Sequence, residues 1–300
     1  MSFSSEAKKE IAAEMPDKLC CRTAQAYGML QCGHAFSADE ISLQTESEEI
    51  ANLYDRLVSR LCSVERPARE VLRRRSDLYH SFIPDGDSRV KVLERFGHAP
   101  REVSLRLNRA NLDCDNCARA YLRGAFLVCG AVTDPEKDYH LEFAIPHYNL
   151  SRDLLTLLRE VDFPAKATTR GGNHIVYIKG SEAIEDCLTY LGATMAALQM
   201  MGVKMVKSIR NDTNRRINCE NANIDKTVQA AVAQMEALAR IEATCGIGAL
   251  PEELQAVAKL RAENPDMSLR DLGAAMDPPL SRSGVNHRLQ RIIQFAKNLE

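Results

Sequence analysis

Apolar positions in the first two thirds of the chain follow two spacings, one helical and one typical of strands. Residues 47–63 place apolar side chains three or four positions apart, as on one face of a helix. Residues 139–145 alternate apolar and polar side chains, as a strand does when only one of its faces is buried. Both patterns recur along the chain, so this part of the sequence mixes helices with strands.

The succession of these patterns predicts the same series of elements twice. After a helix that ends near Cys32, we predict extended structure at 34–46, a helix at 47–63, and two strands within 68–93 around a turn at 84–87. After a helix that ends near Cys129, we predict a strand at 139–145, a helix at 150–160, strands near 165–170 and 174–179, and a helix at 182–191. The order α-β-β-α-β-β-α thus occurs twice, which indicates an α+β body with pseudo-twofold symmetry.

The sequence also repeats, at an offset of 97 residues. Cys20–Ala24 lies over Cys117–Tyr121, and Cys32-Gly33 lies over Cys129-Gly130. The matched segments are small and apolar, as expected for helices that pack closely. We therefore assign residues 1–105 to the first half of the body and residues 106–206 to the second.

Beyond Lys204 the composition becomes polar and basic. Between 204 and 218, five lysines and arginines, among them Arg215 and Arg216, accompany a single acidic residue, Asp212. Five asparagines crowd the same stretch up to residue 223, and asparagine favours turns over helices. We therefore predict an irregular, polar and basic linker at 207–223.

Residues 224–300 carry the signals of an all-α domain. Helices are predicted at 225–242 and from Pro251 to Asn264. Ser268–Asp271 is a capping box that starts a short helix, and the prolines after Asp277 enforce a turn. Ser281 or Ser283 then caps a final helix, whose apolar stripe contains five residues: Val285, Leu289, Ile292, Ile293 and Ala296.

The last helix is also free of acidic residues, since none lies between Asp277 and Glu300. A capped short helix, a tight turn and a basic helix together indicate a helix-turn-helix domain that binds DNA. The alternative is a plain three-helix bundle with a basic exposed side. We assign DNA contacts to eight residues, which are Arg282, Ser283, Asn286, His287, Arg288 and Arg291 on the last helix and Arg215 and Arg216 in the linker.

Composition and charge exclude several classes of function. A net charge of −2 over 300 residues provides no global basic field, so a nucleic-acid site requires local clustering. Aromatic residues make up only 5%, which argues against single-strand binders that stack bases. The sequence has neither a long apolar run nor a signal peptide, so we expect a cytoplasmic protein without a membrane partner.

Leu122–Gly130 resembles the nine-residue signature of the LAGLIDADG homing endonucleases. In that family, the acidic residue before the last glycine binds the catalytic metal ion. Here Cys129 takes that position with Cys32 as its repeat partner, and Leu127 and Leu30 take the other acidic position. Because Mg²⁺ requires oxygen ligands, the resemblance implies an endonuclease-like body without catalysis, and no metal at these positions.

Further segments carry a closer resemblance over nearly the whole chain: Ser2–Ser4, Leu122–Leu127, Thr133–Lys137, Tyr139–Glu142, Arg210–Arg215, Asn218–Glu220 and Ser281–Leu289. They resemble the WhiA family of bacterial sporulation and cell-division regulators. The resemblance implies a transcription factor with a degenerate LAGLIDADG body and a C-terminal helix-turn-helix. The chain departs from the family where Asn116-Cys117 replaces a usual pair of cysteines.

Cys114-Asp115-Asn116-Cys117 has the spacing of half a zinc site or of a redox pair. No second C-x-x-C and no histidine pair follows it at zinc spacing. We therefore interpret Cys114 and Cys117 as structural thiols in a reduced protein, and we expect neither a metal nor another cofactor.

These features predict a transcriptional regulator that binds specific double-stranded DNA, associates with the nucleoid and has no enzyme activity. The expected setting is cell division, chromosome segregation or sporulation. One alternative is an active endonuclease, which would need carboxylates at the ends of both central helices. Another is a scaffold that binds a protein partner through the body.

Overall fold

A computed structural model describes residues 2–73 and 77–299 of the chain. The chain divides into two compact units, Met1–Ser208 and Ile209–Glu300. Among the described residues, no helix is both long enough and apolar enough to cross a bilayer.

The first unit consists of two halves, which share the same order of elements except for the additional helix α1 at the start of the first half. The first half contains α1 (Phe3–Ala13), α2 (Leu19–Gln31), β1 (Ala35–Phe36), β2 (Ile41–Thr45), α3 (Glu48–Cys62), β3 (Ala68–Arg73), β4 (Asp77–Phe82) and α4 (Gly86–Arg95). The second half contains α5 (Asp115–Cys129), β5 (Gly130–Val132), β6 (His140–Ile145), α6 (Tyr148–Glu160), β7 (Lys166–Arg170), β8 (Asn173–Lys179) and α7 (Ser181–Leu191). The predicted order α-β-β-α-β-β-α is therefore confirmed from α2 to α4 and from α5 to α7.

Each half forms one antiparallel sheet of four strands, in the orders β1-β2-β4-β3 and β5-β6-β8-β7. In β6 the side chains of Leu141, Phe143 and Ile145 are buried, and the residues between them are half-buried. This alternation confirms the half-buried strand predicted at 139–145 and places its apolar face in the core of the body.

The prediction of a second strand after the turn at 84–87 is wrong. The two strands pair with each other earlier in the chain, and β4 ends at Phe82. The Asp85 side chain accepts a hydrogen bond from the backbone N–H of Ser88 at 2.7 Å. Asp85 therefore acts as the N-cap of α4, and the turn residues start a helix.

The two central helices, α2 and α5, pack backbone to backbone at the middle of the first unit. A Cβ atom added to Gly28 would overlap the carbonyl oxygen of Tyr121, and one added to Gly124 would overlap that of Gln25. Only glycine allows this approach. The two contacts are equivalent if Gly28 corresponds to Gly124 and Gln25 to Tyr121, which is an offset of 96 residues, one fewer than the predicted 97.

The prediction of an irregular linker at 207–223 is wrong, because α8 runs without a break from Thr194 to Thr244. No glycine or proline occurs between Gly202 and Gly246, so no residue interrupts the helix. The low helix propensity of asparagine is a small cost per residue, and the surrounding Lys, Arg, Glu, Ala and Gln offset it.

The second unit has its own apolar core. The C-terminal part of α8 packs through Ala237, Leu238 and Ile241 against three further helices, α9 (Glu252–Glu263), α10 (Leu269–Ala274) and α11 (Arg282–Lys297). This core contains no residue of the first unit. The all-α domain predicted for the C-terminal part is therefore present.

Candidate DNA-binding surface and the degenerate centre of the body

The local sequence fixes where α11 begins and which side faces the core. The Ser281 hydroxyl accepts a hydrogen bond from the N–H of Gly284 at 3.1 Å, so Ser281, rather than Ser283, is the N-cap. Four residues of the predicted stripe are buried and Ile293 is half-buried. The buried ones are Val285, Leu289, Ile292 and Ala296.

A tight connection joins α10 to α11. Ser268 caps α10 by accepting from the N–H of Asp271 at 3.2 Å, and its hydroxyl donates to the Asp271 carboxylate at 2.7 Å. The N–H of Leu280 donates to the carbonyl of Gly273 at 2.9 Å, and a side chain at Gly273 would overlap the carbonyl of Leu280. This close approach sets the geometry of the helix-turn-helix.

The packing of α11 leaves the polar residues of its first two turns exposed. Arg282, Ser283, Asn286 and His287 all face solvent, and Arg288 is half-buried. The first turn of α11 contains no acidic residue, so the positive end of the helix dipole is not neutralised from within the helix. The surface therefore offers cationic donors for phosphates and shorter polar groups for base edges.

Arg291, about one turn beyond Asn286 and His287, is paired with a residue of another helix. Its guanidinium forms an ion pair with the Glu253 carboxylate of α9 at 2.5 Å, and both side chains are about half-exposed. The sequence of the last helix, which has no acidic residue, could not predict this ion pair, because Glu253 lies on a different helix. Arg291 is thus less available to a phosphate than Arg282.

Arg215 and Arg216 lie on the exposed, helical stretch of α8. Arg215 forms a loose ion pair with Asp212 at 3.7 Å, and the Arg215 side chain remains 82% exposed. At about 1.5 Å per residue, Arg216 lies roughly 30 Å along the helix from Ala237, where α8 enters the core. Both arginines therefore lie on a continuous helix and not on the predicted irregular linker.

At the C-terminal ends of α2 and α5, the thiols of Cys32 and Cys129 meet. A hydrogen bond with Cys129, together with burial, raises the pKa of the Cys32 thiol well above its usual value. Lys8 lies close by, and its pKa is lowered by burial. Leu30 and Leu127 are buried in the core. Within 2–73 and 77–299, no group of three or more potential metal ligands includes Cys32 or Cys129.

Two arginines on the sheets, Arg170 and Arg69, are neutralised within the body. Arg170 on β7 forms an ion pair with Glu142 on β6, and Arg69 on β3 pairs with the buried carboxylate of Asp55. A phosphate would have to compete with these carboxylates. These two arginines therefore contribute less to the attraction of a phosphate than unpaired arginines would.

The opposite ends of α2 and α5 bring four thiols together: Cys20, Cys21, Cys114 and Cys117. The second pair of thiols does not lie downstream of the C-x-x-C pair, where zinc spacing would place it, but comes from the first half of the body. The repeat contained this signal, because it placed Cys20 over Cys117. Hydrogen bonds from Cys117 and Cys21 lower the pKa of Cys114 to about 7, and burial raises that of Cys117 to about 11.

Comparison with known proteins identifies a family for two parts of the chain. Residues 213–296 match the family described as the WhiA C-terminal HTH domain, and residues 118–210 match the WhiA LAGLIDADG-like domain. A protein of Alkaliphilus metalliredigens named "Probable cell division protein WhiA" is 34% identical over 99% of this chain and 98% of its own length. A protein of the same name from Caldicellulosiruptor bescii is 35% identical over 100% and 96%.

Among solved structures, full-length DUF199/WhiA from Thermatoga maritima superposes with a TM-score of 0.62. The two sequences are 21% identical, and the match covers 99% of each chain. At this identity the similarity concerns the fold, which includes both the two-halved body and the C-terminal helical domain.

Proposed function

Because the chain belongs to the WhiA family, we propose that it is a transcriptional regulator that binds specific double-stranded DNA and acts in cell division. One observation carries this proposal. The first two turns of α11 expose Arg282, Ser283, Asn286 and His287 beside a capped, acid-free helix N-terminus. We expect the regulator to act also in chromosome segregation or sporulation, at promoters or elsewhere on the nucleoid.

The residues of this surface divide by the contacts that they favour. Arg282 is the first residue of α11 and is exposed, as a side chain that contacts phosphate must be. Asn286 and His287 stand one turn later, where a recognition helix meets base edges in the major groove. An asparagine side chain matches the donor and acceptor pattern of adenine, so Asn286 is the residue we expect to read a base.

We further propose that the body does not cleave DNA. Phosphodiester cleavage with Mg²⁺ needs carboxylate oxygens at the ends of the central helices, and Cys32 and Cys129 stand there with a lysine beside them. Supercoiled plasmid incubated with the full chain and Mg²⁺ or Mn²⁺ should stay intact. Nicking that depends on the metal and disappears in Cys129→Ala would contradict this part of the proposal.

Changing Asn286 and His287 together to alanine tests the assignment of the DNA-reading surface. Duplexes selected from a random pool by the unaltered chain serve as the specific probe, and unselected duplexes serve as the non-specific probe. The double variant should lose affinity for selected duplexes by at least 10-fold, at roughly 1–3 kcal/mol for each lost base contact, and keep most of its non-specific affinity. The loss is selective because base contacts specify the site and phosphate contacts position the protein.

Gln294→Ala combined with Lys297→Ala is the matched control. Both residues are exposed on the same helix, but Gln294 lies about 12 Å and Lys297 about 16 Å beyond Asn286 along its axis. This control should bind selected duplexes nearly as the unaltered chain does. Equal losses in the two double variants would place the base contacts somewhere other than the first turns of α11.

A further inference from the structure

Four cysteine sulfurs converge at the N-terminal ends of the two central helices. Cys114 Sγ lies 3.7 Å from Cys20 Sγ, 3.6 Å from Cys21 Sγ and 3.5 Å from Cys117 Sγ. Cys21 Sγ lies 4.0 Å from Cys117 Sγ, and all four sulfurs are within 4.8 Å of one another. This is the only such group of metal-binding side chains in 2–73 and 77–299.

The separations match a single tetrahedral ion. Zinc binds thiolates at about 2.3 Å, which places the four sulfurs of a regular tetrahedron about 3.8 Å apart. A disulfide needs about 2.05 Å between two sulfurs, and an iron–sulfur cluster holds its cysteine sulfurs farther apart than this group does. We propose that Cys20, Cys21, Cys114 and Cys117 form a four-thiolate site for one Zn²⁺ ion.

The surrounding backbone stabilises the charge that such a site would carry. Four thiols that release their protons to solvent and bind Zn²⁺ leave a net charge of −2. Cys20 and Cys21 lie in the first turn of α2, and Cys114 and Cys117 lie at the start of α5. No side chain caps either helix, so the positive ends of two helix dipoles lie beside the sulfurs without being neutralised by a capping group.

The position of the site indicates a structural role. Two ligands come from each half of the body, and the halves are otherwise joined here by the packing of α2 on α5. Cys21 and Cys117 are buried while Cys20 and Cys114 are half-buried, so an ion would reach the site from the solvent side. Four protein ligands leave no open position for a substrate, which is the arrangement of structural rather than catalytic zinc.

The sequence-based expectation that Cys114 and Cys117 hold no metal is therefore replaced. That expectation depended on the absence of a second ligand pair, and Cys20 and Cys21 supply that pair from about 94 residues upstream. The C-x-x-C spacing brings Cys114 and Cys117 to one side of the start of α5, because residues three apart face the same way. The sulfurs of Cys20 and Cys21 and those of Cys114 and Cys117 therefore converge on one position.

The proposal is tested on the full chain, purified with a reductant and passed over a chelating resin. Elemental analysis should give one zinc per chain. Cys21→Ser combined with Cys114→Ser should contain none. Cys219→Ser combined with Cys245→Ser is the matched control, since both cysteines are exposed and belong to the second unit rather than to the body, and it should retain one zinc.

Because Cys21 is buried and its replacement could unfold the body, a second measurement uses the unaltered sequence. Metal-free chain titrated with Co²⁺ should develop the absorption of tetrahedral cobalt thiolate and saturate at one ion per chain. Zn²⁺ should then displace the Co²⁺ and abolish the absorption. Stoichiometric uptake in both experiments supports the site.

Three results would overturn the proposal. The first is a reduced, folded chain with four free thiols that takes up neither Zn²⁺ nor Co²⁺. The second is a disulfide between Cys114 and Cys117 in the chain as isolated under reducing conditions. The third is one iron per chain in place of zinc, which would contradict the assignment of the ion.

Discussion

Arg123 shows how a charged residue becomes part of the interior of the body. Its guanidinium donates to the carbonyl of Ile11 at 3.1 Å and to that of Glu14 at 2.7 Å, and it lies 3.2 Å from the Glu14 carboxylate. Burial lowers the pKa of Arg123, and the Glu14 carboxylate opposes that shift. The acceptors are carbonyls at the end of α1 that have no partner within the helix.

Arg123→Met should therefore destabilise the body by about 2–4 kcal/mol, because the buried carbonyl of Ile11 and the partly buried carbonyl of Glu14 would lose their donor. The measurement is urea unfolding of the full chain followed by far-ultraviolet circular dichroism. Arg152→Met, at an exposed position on α6, is the control and should stay within about 0.5 kcal/mol of the unaltered chain. Equal stability of the two variants would mean that water replaces the Arg123 guanidinium at no cost.

Arg282 and Arg291 should differ in what they contribute to DNA binding. Arg282 is exposed and has no ion-pair partner in the part of the chain that the structure describes, whereas Arg291 pairs with Glu253. Each phosphate contact adds about 0.9 to the slope of log affinity against log salt. Arg282→Ala should lower the slope by about that amount, and Arg291→Ala should lower it less. Titrations at several salt concentrations measure both slopes, and a larger effect of Arg291→Ala would show that the ion pair with Glu253 opens on DNA.

At the scale of elements, the close crossing of α2 and α5 depends on glycine. Gly124→Ala places a methyl group against the carbonyl of Gln25, so the helices must separate, at a cost of about 1–3 kcal/mol or more. Gly202→Ala on α8 meets no atom within 4 Å and should stabilise its helix by up to about 1 kcal/mol. Thermal unfolding of the two variants measures the difference, and a neutral Gly124→Ala would mean that the crossing is looser than the structure shows.

The elements that the sequence predicted well are those whose pattern is local. Each predicted element of the second half after α5 lies within two residues of the observed ends, because its burial follows a period of 2 or 3.6. Residues 207–223 are helical rather than irregular because no glycine or proline interrupts them, and the low helix propensity of their asparagines costs too little to break the helix. The start of α4 was missed because an Asp-Gly turn and an N-cap use the same residues.

In the candidate sites too, features set by one local segment were predictable, whereas contacts between distant segments were not. The capped start of α11 was predictable, since Ser281 and the apolar stripe lie within one segment. The pairing of Arg291 with Glu253 and the meeting of Cys20 and Cys21 with Cys114 depend on contacts between distant segments. The spacing of residues within one segment cannot predict contacts between distant segments. For the cysteines, the only indication in the sequence was the pseudo-twofold repeat.

At the scale of the whole molecule, two separate cores imply two parts that fold and bind independently. The core of residues 209–300 involves only the end of α8 and α9 to α11, and the core of the body contains none of these residues. A fragment of residues 209–300 should therefore unfold cooperatively by itself and carry most of the affinity for selected duplexes. It retains Arg215 and Arg216 as well as the whole α11 surface.

A fragment of residues 1–208 should bind DNA weakly and without sequence preference. Two of its sheet arginines, Arg170 and Arg69, are paired with Glu142 and Asp55, which reduces the number of cations that are free to contact phosphates. Titration of both fragments and the full chain on selected and unselected duplexes, at one salt concentration, compares the two parts directly. If the body fragment retains specific binding while residues 209–300 fold but bind no DNA, the LAGLIDADG-like sheets read the sequence and α11 does not.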